Sequence, residues 1–571
     1  MNRSGAVGRW FRKSVSPTTS GALGGAIAAL AVLMPWWRPG ALLVRDLVAV
    51  PDPAWSPALL EASGRLPRDI PGEMLAAAAG QVVPGDLFVR AAILAALVYL
   101  AAGVGRLVRA TPPLAAAVGG FVAVWNPYVL GRLHQGQWLV LVALGAVPWI
   151  VVHLRADDRW RLARTVVVAS LSGFLTFVVA IPTLLIVGTV ARRFRAVGVG
   201  TAVAIVMALP WLLIADGLGS DPDGFRAFAP NADLAGGVVP SLLTGGGYFN
   251  AAVASPWRER WLVAAVALFL LALAVVGLGM WIRAARGRDR HIRSGFVLAG
   301  LSALLVAMVA ASGAGQEWLG EASEALPGLS VLRDSHRLLA PWVIALAVGT
   351  AMFAGSGGVR SQTVPGVAAV VVVAAIVALP DPIIGPRLPE PSTLPPAWQE
   401  AADLVNGHQA GGAVLVAPFG QTQRYDFTDH RAVAVPLRRL MRPPVLVDSR
   451  LAVGDLVVDE RVADEPFRRL ASRPVSNLSG SELASHGVSW VAVTDPRRFV
   501  SMTGPDTKLV LDAPSIQLIR VELPGGAALG TTRPASWLIT VDVLVGLVAL
   551  GAVVAPMMGR PRASPVSGRG S

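Results

Sequence analysis

The chain has 571 residues, 54% of them hydrophobic and only 15% charged, with a mean hydropathy of +0.58. Soluble domains carry about 25% charged residues, so this balance excludes both an ordinary soluble enzyme and a disordered chain. The absence of cysteine removes disulfides, thiolate metal sites and a thiol nucleophile, and the net charge of +13 is almost all arginine, the lysines being Lys13 and Lys508.

Apolar runs of about 20 residues, enough to cross a bilayer, fall at 20–37, 86–105, 112–130, 138–154, 197–215, 261–282, 295–312, 338–355, 364–380 and 536–557. In lipid the backbone must satisfy its own hydrogen bonds, so these runs are expected to be helices. The first lacks a small-residue cleavage site after Met34-Pro35-Trp36-Trp37 and reads as a retained anchor. The run at 165–191, interrupted by Gly173 and Pro182, fits either one helix of about 40 Å or a hairpin of two short helices.

Charge favours the hairpin, because Arg and Lys are retained on the cytoplasmic side. A hairpin gathers the basic segments 1–19, 155–164, 192–196, 283–294 and 558–571 on one side. The acids Asp46, Asp52, Glu61, Asp69, Asp86 and Asp334 then lie on the other. The expected architecture is a multi-span α-helical membrane protein of the bacterial cell membrane, with about twelve transmembrane helices and both termini cytoplasmic. The positive charge is then a topology signal, and nucleic acid is not an expected partner. Tryptophans at 36, 37, 125, 138, 149, 257, 261, 281 and 537 lie near span ends and read as an interfacial belt.

Residues 382–534 break the apolar pattern. A proline-rich linker begins at Pro380. An amphipathic helix at about 397–406 follows, then apolar strands at 412–420 and 444–448, the helix end, turn and strand of LASHGVSWVAVTD, and an alternating strand at 515–523. This is a small α/β domain, placed outside the membrane by the charge pattern. The chain therefore divides into a polytopic domain (1–381), the extracytoplasmic α/β domain (382–534), and a last span with a basic tail (535–571).

Several chemistries are excluded by motif. Neither lysine follows a glycine, so there is no P-loop. No His precedes Glu, so H-E-x-x-H is absent. G-x-S-x-G is absent as well. The scattered histidines form no ligand pair at helical spacing. No metal site is assigned, and a divalent-metal requirement is left open.

Four polar clusters remain on the outer face: Arg45-Asp46; Asp86 after Pro84-Gly85; Trp125-Asn126-Pro127-Tyr128 with Arg132, His134 and Gln137; and Arg333-Asp334-Ser335-His336-Arg337. Charges at the membrane boundary are costly unless paired or solvated. Arg333 and Arg337 are spaced by one helical turn, with His336 beside Arg337, a pattern that suits a phosphate or pyrophosphate. Plainer readings stand beside this. Arg45–Asp46 and Arg333–Asp334 also fit simple ion pairs, Asn126-Pro127 a helix stop, His134 and the glutamines loop hydrogen bonds, and Asp86 an N-cap.

The order of these segments resembles a known group. LLVRDLVAVPDP in the first outer loop is followed by WNPYVLGRLHQGQWLVLVALGAVPW at 125–149, LRDSHRLLAPW at 332–342 and an outer α/β domain. Over most of residues 15–560 this is similar to actinobacterial polytopic membrane proteins grouped with C-type (GT-C) glycosyltransferases. The resemblance implies transfer of a sugar, with inversion, from a polyprenyl-phosphate donor to an envelope glycan acceptor outside the membrane. It implies an acidic base in the first outer loop, which falls on Asp46, and donor-phosphate binding at Arg333 and Arg337. The group's base motif is often a pair of acids, whereas here Arg45 precedes Asp46. Asp86 and the 126–137 turn, with Asn126, Tyr128, Arg132, His134 and Gln137, are expected to shape the pocket with Asp334 and His336. Membrane lipids, the lipid-linked sugar and the acceptor glycan are the expected partners. A transporter or flippase of lipid-linked precursors, or a scaffold working through 382–534, are the alternatives.

Overall fold

The computed structural model describes residues 15–55, 70–212, 221, 223–356, 362–408, 412–448, 450–459, 477–495, 506–522 and 536–554. The basic termini (1–14 and 555–571), Glu61, Asp69 and the end of the α/β domain at 534 lie outside the described residues. Seven described helices are long and apolar enough to cross a membrane: Gly85–Leu107, Pro113–Gln135, Trp138–Ala156, Phe194–Leu212, Trp261–Arg283, Gly287–Ala310 and Ser335–Ala354. Shorter apolar helices are Pro17–Val32, Leu175–Val190 and Val364–Ala378, and Thr540–Ala549 belongs to the final helix Ser536–Val554.

The first helix packs through small residues. A Cβ on Gly24 would stand 2.0 Å from the Ala117 carbonyl oxygen, so its backbone lies flush on the Pro113–Val124 helix. Between helices in lipid such close approach supplies the dispersion contacts that drive association.

The 165–191 run is two helices. Arg159–Ser170 ends in a turn at Gly173 (φ +60°), and Leu175–Val190 returns. The break falls at Gly173, not Pro182, since a proline in the first turn of Ile181–Val190 sacrifices no hydrogen bond. Two contacts fix the direction of travel. Phe174 lies under Arg337 at one end of the bundle, while Arg193 pairs with Asp157 at the other. Arg155 and Arg293 share Asp289 at that same second end.

The α/β domain is a five-stranded sheet in the order β10-β11-β9-β3-β6, where β3 is Ala413–Ala417, β6 Val445–Leu446, β9 Val488–Val493, β10 Thr507–Ala513 and β11 Ile516–Val521. β3 is parallel to β6 and β9, and the other pairs are antiparallel. Period-two alternation splits it into two faces. Val414, Val416, Trp490, Ala492, Ile516 and Leu518 pack on Trp398 and Val405 of helix Pro396–Asn406. Leu415, Val491, Val493 and Ile519 pack on Leu483 and Ala484 of helix Gly480–Ser485.

A small hairpin joins the two units: β1 (Leu42–Val44) and β2 (Leu47–Ala49), with Arg45 and Asp46 at its turn. Its residues alternate between two cores. Leu42, Val44, Leu47 and Ala49 belong to the helical core, whereas Ala41, Leu43 and Val50 belong to the core around Trp398. The hairpin is buried on both faces, so its register is strongly specified; a one-residue slip would exchange every side chain between cores. Arg439 of the α/β unit also pairs with Glu73 of helix Gly72–Ala79.

The tryptophan belt is corrected in part. Trp37 and Trp261 are exposed as expected. Trp36, Trp125 and Trp257 instead donate their indole N–H groups to the carbonyls of Pro389, Leu379 and Gly385, so they hold the linker between the units. Trp281 is buried against Phe296.

Candidate functional site

The site is assembled around the hairpin turn. Helix Pro127–Gln135 ends at Gly136, whose left-handed backbone (φ +79°) closes the helix. A Cβ there would stand 2.2 Å from the Val44 carbonyl oxygen and 2.5 Å from the Leu47 nitrogen, so glycine lets this helix end seat directly on the hairpin. The Asp46 N–H donates to the Gln135 carbonyl at 3.1 Å. Gln135 Nε2 donates to both Asp46 carboxylate oxygens at 3.3 and 3.2 Å, and Gln137 Nε2 donates to Oδ2 at 3.2 Å.

Both amides are fixed in that orientation. Gln135 Oε1 accepts from Asn250 Nδ2 at 3.1 Å, and Gln137 Oε1 accepts from Arg132 Nη1 at 2.6 Å and from the Tyr248 hydroxyl at 3.3 Å. Asp46 is exposed to solvent, with the Gln135 and Gln137 amides beside its carboxylate. Desolvation raises its pKa above the ordinary carboxylate value; the glutamine bonds and the charges of Arg337 and Arg45 pull in the opposite direction. A water-accessible carboxylate with a raised pKa, oriented by two amides, suits proton abstraction.

Behind Asp46 lies a sealed polar core. Arg132, with no solvent exposure, pairs with Asp334 at 3.1 Å and donates to His336 Nδ1 at 2.7 Å. Arg can only donate, so Nδ1 accepts and the ring is neutral. Arg337 Nε reaches Asp334 Oδ2 at 2.8 Å. Burial would raise the Asp334 pKa, but the guanidinium charges of Arg132 and Arg337 outweigh it and hold the group at about 2. Tyr128 stacks on His336 with ring centroids 5.2 Å apart and donates its hydroxyl to the Arg337 carbonyl at 2.9 Å. The Arg132 guanidinium lies 4.6 Å from the Tyr248 ring centroid.

Arg45, Asp46, Tyr128, Arg132, Gln137, Asp334, His336 and Arg337 are thus brought together. His134 is half-buried, and Arg45 is the neighbouring charge acting on it. Two expectations, for Asp86 as an N-cap and for the shared helical face of Arg333 and Arg337, are corrected, while the helix stop at Asn126-Pro127 is found. Asp86 is not an N-cap and stands apart from this cluster: it pairs with Arg90, which donates to the Arg38 and Gly40 carbonyls and so braces the entry to β1. Asn126 is a cap, accepting from the Val129 N–H at 3.0 Å while donating to the Val122 and Ala123 carbonyls. Arg333 and Arg337 do not share a helical face, because Asp334 separates two 3₁₀ turns. Arg333 lies over the Phe228 ring, while Arg337 is held by Asp334.

Sequence reasoning named Gln135 only as part of the 126–137 turn and missed Tyr248 and Asn250. The signal for the last two was the turn Gly245-Gly246-Gly247-Tyr248-Phe249-Asn250, a polar and aromatic stretch after three glycines in an apolar chain. Beside it a second buried pair, Arg258–Asp233, and the Ser255–Asp381 hydrogen bond (2.6 Å) tie this turn to the linker. Among the described residues no three His, Asp or Glu side chains are grouped to hold a metal.

The helical bundle, with the α/β unit joined to it through the Arg45-Asp46 hairpin, has a fold found among membrane proteins of known structure. In particular, the chain is similar to the arabinofuranosyltransferase AftD from mycobacteria, with a TM-score of 0.56 and 18% identity over 88% of this chain. A mutant form of AftD gives a TM-score of 0.52 at 17% identity, again over 88% of this chain. The chain covers 40% and 41% of those two proteins, so it corresponds to about two fifths of AftD. No family model matches the sequence, and no curated protein matches it.

Proposed function

We propose that this chain is an integral-membrane glycosyltransferase that moves a sugar from a polyprenyl-phosphate donor to an envelope glycan acceptor with inversion. The observation that carries this reading is the Asp46 carboxylate: open to water and oriented by two glutamine amides, one of them anchored on the buried Arg132–Asp334 pair, with desolvation raising its pKa. The AftD-like fold supports it.

In this reading Asp46 removes the proton from an acceptor hydroxyl as its oxygen attacks the anomeric carbon. The bond from that carbon to the phosphate oxygen breaks on the opposite face, and the electron pair leaves with the polyprenyl phosphate. The basic segments 155–164, 192–196 and 283–294 lie at the far end of the bundle from Asp46. Under the positive-inside rule this arrangement supports a site that opens on the outer side with the α/β domain, and termini that lie inside. The domain then forms one wall for the acceptor glycan.

Polyprenyl-phosphate arabinofuranose is the first donor to test, given the fold of AftD. The purified chain is incubated with radiolabelled donor and envelope glycan. Transfer by the wild type and its loss in Asp46→Asn, with unchanged donor binding, is the expected result. Undiminished transfer by Asp46→Asn would remove Asp46 as the base.

A further inference from the structure

Hydrogen bonds have a direction, and around Asp46 that direction is set by groups that can only donate. Arg132 is one of them: a guanidinium has no acceptor. Gln137 must therefore turn its Oε1 to Nη1 at 2.6 Å and its Nε2 to Asp46 at 3.2 Å. The other amide on the carboxylate, Gln135, meets the neutral amide of Asn250 at its far end. Two neutral amides in contact can turn over together and keep their bond, since each carries both a donor and an acceptor.

A main-chain donor prevents this. The Ala252 N–H donates to Asn250 Oδ1 at 3.1 Å, and a backbone N–H cannot accept. Asn250 Nδ2 is thereby turned to Gln135 Oε1 at 3.1 Å, and Gln135 Nε2 to both Asp46 oxygens at 3.3 and 3.2 Å. The order Ala252, Asn250, Gln135, Asp46 runs one way only. Both ends of this relay are held. Asn250 is the N-cap of the 3₁₀ turn Ala251–Val253. Phe249 and Val253, on either side of it, share one apolar core with Phe228, Tyr248 and Val458 of the α/β unit's strand Leu456–Asp459. At the other end the Gln135 carbonyl accepts the Asp46 N–H at 3.1 Å. The charged and titratable groups acting on Asp46 are Arg45 of its own hairpin, Arg337 of the 333–337 segment and Tyr248 of the glycine turn.

We propose that Asn250 is a positioning residue for the base: anchored by the Ala252 N–H, it sets Gln135 so that Asp46 always meets the donor end of that amide. This rests on the transferase reading, in which Asp46 must be ionised to take the acceptor proton. Without the anchor, Gln135 spends part of its time with Oε1 toward the carboxylate, and two acceptors facing each other disfavour the ionised form.

The test reads Asp46 itself. Its side chain is exposed to solvent, and a water-soluble carbodiimide with an added amine couples to the protonated carboxyl. The pH midpoint of labelling of the Asp46 peptide, followed by mass spectrometry on the full chain in detergent, reports its ionisation without any transfer. Asn250→Asp keeps the shape and the acceptor for Ala252, but places an oxygen against Gln135, which turns over to donate to it. The midpoint is expected to rise by about one pH unit, a tenfold gain in proton affinity, and the acidic limb of transfer with it. Asn250→Ala frees Gln135 without compelling it to turn and is expected to raise the midpoint by less. In a Gln135→Leu background the relay is already cut, so Asn250→Asp is expected to change the midpoint little. A midpoint unmoved in both Asn250 variants would overturn the proposal. So would an equal rise with and without Gln135, which would assign the effect to the new negative charge acting through space. The expected shifts in a protein that transfers no sugar would leave the relay standing and remove the transferase reading; unmoved midpoints with intact transfer would do the reverse.

Discussion

Arg132 and Asp334, 202 positions apart in sequence, form a fully buried ion pair at 3.1 Å directly behind the candidate base. Arg132 also donates to Gln137 and His336, so one guanidinium satisfies groups from two separate helical segments. A buried charge left without its partner costs far more than an exposed one. Arg132→Met is therefore expected to destabilise the protein by about 3–5 kcal/mol, read as a lowered melting temperature in detergent. The double variant Arg132→Met with Asp334→Leu should recover much of that loss but not the transfer activity, because Gln137 no longer has its anchor.

The pH dependence of this pair has a definite sign. Asp334 is held at about 2 by Arg132 and Arg337, below the usual Asp value near 3.9 of an unfolded chain. A carboxylate with a depressed folded pKa contributes stability that is complete above the unfolded value and is lost as pH falls through the folded one. The stabilisation should therefore fade between about pH 4 and pH 2. Acid unfolding of Asp334→Asn should lack this component in the same window, as followed by intrinsic fluorescence.

Asp46 has the opposite sign. Its pKa is raised by desolvation, and a base must be ionised to accept a proton. The acidic limb of the transfer rate should thus lie above the ordinary carboxylate range. Gln137→Leu removes one hydrogen bond that favours the ionised form, so the limb should move to still higher pH. The same raised pKa makes the folded state bind the proton more tightly, so Asp46 costs stability as pH rises past its unfolded value. Asp46→Asn should consequently melt no lower than the wild type at neutral pH while losing transfer by about 10²–10⁴-fold. A limb that stays in place in Gln137→Leu would argue against the amide's role.

Gly136 is predicted to be intolerant of any side chain. It has positive φ, and an added Cβ would press on the Val44 carbonyl oxygen. Gly136→Ala should push the hairpin away from Gln135 and Gln137. Transfer should fall, since the base moves away from the amides that orient it. Measuring kcat and donor affinity separately checks this.

Asn126 is predicted to be dispensable for chemistry. Its side chain caps helix Pro127–Gln135 and returns to the preceding helix. Asn126→Ala should cost about 0.5–2 kcal/mol of stability. Activity per folded molecule should be unchanged; a selective rise in KM would assign Asn126 a substrate contact instead.

What could be read from the sequence was what is local and periodic. Apolar runs must become helices in lipid, the apolar run VSWVAV after a helix stop and the alternating SIQLIRVEL give strands, and the proline-rich linker separates two units. Charge distribution chose the hairpin at 165–191, and the Phe174–Arg337 and Arg193–Asp157 contacts place its turn and its end at opposite poles of the bundle. The hairpin acid, the 126–137 segment and the 333–337 segment were visible as polar residues that a membrane chain does not keep without a partner.

Which partner each one found was decided only by the tertiary structure. Asp46 meets Gln135 across 89 positions, and Asn250 meets Gln135 across 115. No local spacing encodes such distances. Asp86 and Arg333 carry the same chemical groups as Asp334 and Arg337, yet one braces the chain and the other lies on a ring. The physical reason is desolvation. A charge buried among helices must be paired by whatever the packing brings within reach, and packing is set by the apolar surfaces, not by the charges themselves.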